Sequence, residues 1–234
     1  MADTDEDAPL RLGGVQFIPR PASSRPGRAA PWSGVPLDEV PLTLETIRGV
    51  LARAEPPHPS RLEGTGVRAS AVLAPLYEED GDVRVVLTRR AQHLRSHRGE
   101  VSFPGGGQET NEDLRATALR ESHEETGLDP ASVDIIGELD HLETVTSRSF
   151  ITPFVGALPG RPALEPNPAE VEKILHVRLV DLFDPDVFRE ERWGLPPLDR
   201  PIYFFEVVGD TIWGATAFML RNFLALLSGT NWRD

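Results

Sequence analysis

Apolar and polar positions along this chain change period several times, and each change marks an element. Thr43 can cap a helix from Leu44 to Ala54, whose Ile47, Val50 and Leu51 share one face, and the Pro-Pro-His-Pro stretch at 56–59 ends it. Val67–Tyr77 and Val83–Thr88 are β-rich runs joined by Glu-Glu-Asp-Gly-Asp, a hairpin signal. A helix is predicted from about Glu112 to Thr126, with Gly127 as a left-handed C-terminal cap. Val133–Val145 and Phe150–Leu158 read as strands around Thr-Ser-Arg-Ser, and Glu170–Val177 as another, followed by a helical turn at Val180–Phe183. Pro201–Val208 and Thr211–Trp213 form a hairpin around Gly209-Asp210, and Gly214–Leu227 is a terminal helix, apolar throughout. Strands interspersed with a few helices predict an α/β fold with a mixed β-sheet flanked by helices. Residues 1–40 are rich in Pro, Gly, Ser, Ala and Arg without sustained period. They read as a flexible or loosely draped arm ahead of one domain over residues 41–234.

Composition narrows the chemistry. A formal charge of −13 argues against a nucleic-acid or membrane-surface binder, and the absence of cysteine excludes thiol catalysis and Cys-ligated zinc. The acidic Met-Ala-Asp-Thr-Asp-Glu-Asp start lacks the apolar core of a signal peptide, and nowhere do about 18 apolar residues run together. The expectation is a cytoplasmic protein.

The predicted helix at 112–126 carries Glu121, Glu124 and Glu125 at i, i+3 and i+4, within one helical stripe. Three carboxylates so placed repel one another unless something positive sits among them. An oxygen-only, anionic donor set suits Mg²⁺ or Mn²⁺ rather than zinc or copper. Arg120 can pair with Glu124 at i, i+4 and fix its orientation. Glycines at 105, 106 and 107 permit backbone geometries that a side chain would block. No Gly-Lys-Ser/Thr follows them, which removes a P-loop, and no Gly-x-Ser-x-Gly supports a serine hydrolase.

Gly106, five residues, Glu112, seven residues, then Arg120-Glu121-Ser122-His123-Glu124-Glu125-Thr126-Gly127-Leu128 resembles the Nudix box at every fixed position, with Ser122 where an aliphatic residue is usual. The resemblance implies a Nudix-type α/β/α sandwich that hydrolyses diphosphate linkages. It implies Glu121 and Glu125 as main metal ligands, Glu124 as a further one, a backbone carbonyl ligand from Gly105, and a supporting role for Arg120. Glu170, in Asn-Pro-Ala-Glu-Val-Glu-Lys, resembles the downstream segment that often supplies a carboxylate as base. Glu124 is the alternative base. Dimerisation is common in the family, which admits a homodimer here.

Just upstream, Arg89, Arg90, His93, Arg95, His97 and Arg98 fall within ten residues, a local basic mouth that implies a small polyanionic substrate rather than a polymer. The run from Leu87 to Gly106 resembles the extra motif of the coenzyme A pyrophosphatase branch, through Leu87, Thr88, Arg90, Leu94, Arg95, His97, Gly99, Phe103, Pro104, Gly105 and Gly106. It departs at Glu100 and Glu109, where Gln and Asp are usual. That resemblance implies Arg90, Arg95, His97 and Phe103 as substrate-binding residues, and cleavage of CoA or its thioesters. Hydrolysis of another nucleoside diphosphate derivative, such as ADP-ribose or NADH, is the alternative. A non-catalytic nucleotide-binding sensor of the same fold is a third reading.

Overall fold

In the computed structural model, residues 13–14, 16–36, 40, 42–144, 149–231 and 233 are described. In chain order the elements are β1 (Arg25–Pro26), α1 (Leu44–Arg53), β2 (Ala69–Glu79), β3 (Asp82–Arg90), β4 (Val101–Ser102), β5 (Gly105–Gly107) and α2 (Leu114–Thr126). They continue with β6 (Asp134–Glu138), β7 (Leu142–Thr144), β8 (Ser149–Ala157), β9 (Val171–Arg178), α3 (Leu179–Leu182), β10 (Phe188–Trp193), β11 (Arg200–Val207), β12 (Asp210–Trp213) and α4 (Gly214–Leu227).

Local chemistry explains the best-predicted elements. Thr43 caps α1 in a reciprocal capping box with Thr46, worth about 1 kcal/mol. The β2–β3 hairpin turns through Asp80 and Gly81, both at positive φ (54° and 83°), the backbone that a two-residue turn between twisted strands requires. Helix α4 occupies the predicted span; its Met219, Leu220, Phe223 and Leu224 are buried, as its apolar surface demands.

The central sheet is mixed. Its main path runs β4-β3-β2-β8-β6; β5 pairs with β2, β7 with β8, and β9 with β3. β2 and β8 are parallel, whereas β2 and β3 are antiparallel. Side chains alternate across it. Ala71, Leu73, Tyr77 and Val86 pack with Ala118 of α2 on one face, while Val72, Ala74, Leu76, Val85 and Leu87 join Ile47 of α1 and the apolar face of α4 on the other. The expected α/β architecture is present.

Three features differ from expectation. The predicted 133–145 strand is two pieces, β6 and β7, interrupted at 139–141; of the Thr-Ser-Arg-Ser connection only Ser149 is described, in β8. The last hairpin belongs to a separate antiparallel sheet, β1-β10-β11-β12. Its strand β10 reads Phe-Arg-Glu-Glu-Arg-Trp, and its charges are matched across the sheet by Arg189–Glu206 and Arg192–Asp199 pairs. The described part of the N-terminal segment is draped onto this second sheet. Trp32, 2% exposed, packs against Phe183, Phe188 and Phe205 and donates its indole N–H to the Phe183 carbonyl. Residues 1–12, 15 and 37–39 of that segment lie outside the described residues. Among the described residues, no helix is long and apolar enough to cross a membrane.

Candidate active site

Helix α2 starts at Asp113, whose carboxylate accepts the Arg115 and Ala116 N–H groups, and ends at Gly127, whose φ of 69° closes the last turn. It lies over β2 and β5 at a distance only glycine permits. A Cβ on Gly106 would come within 2.4 Å of a Glu121 carboxylate oxygen, and one on Gly105, at φ 153°, within 2.4 Å of the Ala71 carbonyl. The glycine run therefore sets the depth at which the box carboxylates meet the sheet. Ser122, where an aliphatic residue was expected, is fully buried and donates its hydroxyl back to the Ala118 carbonyl at 2.6 Å, which satisfies it inside the helix.

Arg120 organises the first half of the site. Its guanidinium donates to both oxygens of Glu112 (2.8 and 3.0 Å), to the Gly107 carbonyl (3.1 Å), to Glu121 (2.9 Å) and to Glu124 (3.1 Å). Glu112 also accepts from the Thr117 hydroxyl and the Glu109 N–H. The hydrogen bonds from Arg120 hold the Glu112 carboxyl down at about 2, and Glu112 in turn raises Arg120. The predicted Arg120–Glu124 pair is present, as one contact of a five-bond hub.

Glu125 is in a different situation. It is 3% exposed, its carboxylate accepts the Gly105 N–H at 3.3 Å, and the Arg90 guanidinium lies 3.8 Å away. Burial pushes its pKa up to about 8 against the lowering effects of the Gly105 N–H and Arg90; Glu170 and Glu121 add smaller repulsions. Glu121 is raised too, first by burial and then by Glu124 and Glu170, against the lowering effect of Arg120. Glu170, a distant position in sequence, thus stands within the field of the buried Glu125 and the half-buried Glu121.

The side chains are not drawn into a ready-made cage: among the described residues, no group of three or more His, Asp or Glu side chains is gathered closely enough to hold an ion. Arg120 pulls Glu121 and Glu124 towards itself, and Glu125 keeps to Gly105 and Arg90. By type the donors fit a hard divalent cation, since all are oxygens and one of them, Glu125, is a buried carboxylate with a guanidinium no nearer than 3.8 Å.

The basic run does not act as one cluster. On β3 the side chains alternate. Arg90 points to the α2 face and Glu125, while Arg89 points to the other face, bonding the fully buried Asp210 at 3.0 Å and Glu172 at 3.3 Å. Arg89 therefore ties β3 to the second sheet. Arg95 and His97 are exposed on the 91–100 loop, and His97 is engaged by Glu100 at 2.9 Å. Phe103 is 2% exposed and belongs to the core cluster with Val72 and Val101, so burial and not exposure to the mouth is what the structure shows for it. One basic residue outside the run was missed: the Arg68 guanidinium lies against Gly107, where a Cβ would meet it at 2.5 Å. Val67-Arg68 at a strand entry carried no motif that could have flagged it.

The NUDIX domain model matches residues 67–202. The chain is 36% identical over 167 residues to "Uncharacterized Nudix hydrolase NudL" of Photorhabdus laumondii, an alignment covering 71% of this chain and 88% of that protein. It is 40% identical over 163 residues to "Nudix hydrolase 22, chloroplastic" of Arabidopsis thaliana, covering 65% of this chain and 53% of the relative, so it spans about half of that protein's length. With "Nudix hydrolase 3" of Caenorhabditis elegans it shares 36% identity over 179 residues, 68% of this chain and 73% of the other. The family match spans more than half of the chain and takes in the glycine run, Arg120 with its glutamates, and Glu170. The chain belongs to the Nudix hydrolase family.

Proposed function

We propose that this Nudix protein cleaves the diphosphate bond of coenzyme A or its thioesters, with water, to 4′-phosphopantetheine and adenosine 3′,5′-bisphosphate. The observation that carries the hydrolytic part is the burial of Glu125, 3% exposed, on the same helix as Glu121 and Glu124, with the Arg90 guanidinium 3.8 Å away. In this reading Glu121, Glu124, Glu125 and the Gly105 carbonyl hold Mg²⁺ or Mn²⁺, which neutralises phosphate oxygens and acidifies water. Arg120 orients Glu121 and Glu124. Glu170 takes a proton from the attacking water, whose oxygen joins one phosphorus while the bridging oxygen leaves with the other phosphate.

The substrate part rests on the run from Leu87 to Gly106. CoA carries a 3′-phosphate besides its diphosphate, and Arg95 on the exposed loop is free in chemistry to grip it bidentately. Phe103, being buried, has no part in this. One observation favours another nucleoside diphosphate derivative: Glu100 engages His97 and occupies one ring nitrogen at the mouth. A substrate panel separates the two. Release of adenosine 3′,5′-bisphosphate from CoA with little AMP from ADP-ribose supports the proposal, whereas equal or greater cleavage of ADP-ribose or NADH overturns it.

A further inference from the structure

We propose that residues 165–171 form a strap that positions Glu170, with Asn167 on its inner side and His93 on its outer side as positioning residues. The inference rests on the reading of Glu170 as the base.

The inner side of the strap is bonded to the end of α2. The Glu165 N–H donates to the Thr126 carbonyl and the Asn167 N–H to the Glu125 carbonyl, both at 2.9 Å. These are last-turn carbonyls that the helix itself leaves without partners. Asn167 then folds the strap. Its side-chain Oδ1 accepts the Ala169 N–H at 3.1 Å, and its carbonyl accepts the N–H groups of Glu170 (3.0 Å) and Val171 (2.8 Å). Pro166 and Pro168 on either side fix the backbone further.

The outer side is bonded to the start of the basic loop. The Ala91 N–H donates to the Glu170 carbonyl at 2.8 Å, and His93 Nε2 lies 3.1 Å from the Ala169 carbonyl. A carbonyl only accepts, so Nε2 carries the proton. The Glu170 backbone is thereby held between the helix that carries Glu125 and the loop that carries Arg95 and His97. Neither Asn167 nor His93 needs to touch substrate. What they fix is where the Glu170 carboxylate stands relative to Glu121 and Glu125, and they link that position to the 91–100 loop.

The test is a set of variants of the full chain with MgCl₂, assayed on whichever of CoA and ADP-ribose the unmodified protein cleaves, with kcat, KM and thermal midpoint measured separately. His93→Phe keeps a ring and loses the donor; His93→Gln restores a donor. Asn167→Ala loses the acceptor; Asn167→Ser restores one. We expect His93→Phe and Asn167→Ala each to lower kcat about fivefold, the scale of one net hydrogen bond, with KM little changed. Gln and Ser at these positions should recover most of the loss. In a Glu170→Gln background neither His93→Phe nor Asn167→Ala should add a further loss, because both act through that carboxylate. The proposal is overturned if kcat is unaffected, if the effect falls on KM alone, or if the losses persist in full when Glu170 is already replaced. If Glu170→Gln itself turns over like the unmodified protein, the reading of Glu170 fails and takes the strap's role with it, an outcome recognisable from that single variant.

Discussion

Glu112 and Glu125 flank one helix and differ in almost everything that surrounds them. Glu112 accepts four hydrogen bonds, two of them from the Arg120 fork, and its carboxyl is held at about 2. Glu125 is buried with a single long bond from Gly105 and a guanidinium at 3.8 Å, and its carboxyl is pushed up to about 8. The same side chain is a structural strut at one end and an under-compensated buried acid at the other. A buried carboxylate left without full compensation destabilises a fold. On the proposed reading, a cation would compensate Glu125 beside Glu121 and Glu170, whereas Glu112 is already compensated by Arg120.

The largest break in this comparison is Glu125→Gln. We expect turnover to fall by about two to three orders of magnitude, since a charge-stabilising ligand is lost, while the thermal midpoint of the metal-free protein at pH 8 holds or rises. Turnover near that of the unmodified protein would place the chemistry elsewhere. Next comes Arg120→Lys, which keeps the charge but not the fork that grips Glu112, Glu121 and Glu124 together. Activity should fall about tenfold or more, with a smaller loss of stability because Glu112 and Glu121 are only partly buried and Glu124 is exposed, read by denaturant melts.

Titration sharpens the contrast, because the two ends respond to pH with opposite sign. The folded pKa of Glu125 is raised above the ordinary 4.5, so the unfolded chain loses its proton first and the folded state is penalised as pH rises from about 4.5 to about 8. Melts of metal-free protein should show a falling stability across that window, with a slope of at most about 1.4 kcal/mol per pH unit. The slope should shrink in Glu125→Gln, leaving the part due to Glu121, and shrink with added Mg²⁺. The smallest effect is at Glu112, whose folded pKa is depressed: its contribution is complete above about 4.5 and is lost as pH falls towards about 2. Replacing it by Gln should flatten the acid limb of the stability curve and leave the limb above pH 5 unchanged.

How much of this was legible depends on which interactions are local. The α2 helix, its Gly127 cap, the β2–β3 hairpin and α4 follow from period and turn chemistry carried within each segment. The glycine strand β5 has no side chains to pattern, and β1 and β4 are two residues long, too short for any alternation. β10 was hidden because its charges are compensated by residues elsewhere in the second sheet, a fact no local window contains. The site divides along the same line. Spacing alone gathered Glu121, Glu124, Glu125 and Arg120. The split of Arg89 from Arg90 follows from strand alternation once β3 is granted. That Phe103 is buried in the core, and that Glu112 rather than Glu124 takes most of Arg120, only packing decides.

The central claim is that Glu125 is held for a divalent cation, and proton counting tests it most directly. Calorimetric titration of metal-free protein with Mg²⁺ at pH 7, repeated in buffers of different ionisation enthalpy, gives the number of protons released on binding. The account predicts release of about one proton from the unmodified protein, because a carboxyl held near pH 8 must give up its proton to a metal, and almost none from Glu125→Gln. Binding without proton release, or equal release from both proteins, would contradict it.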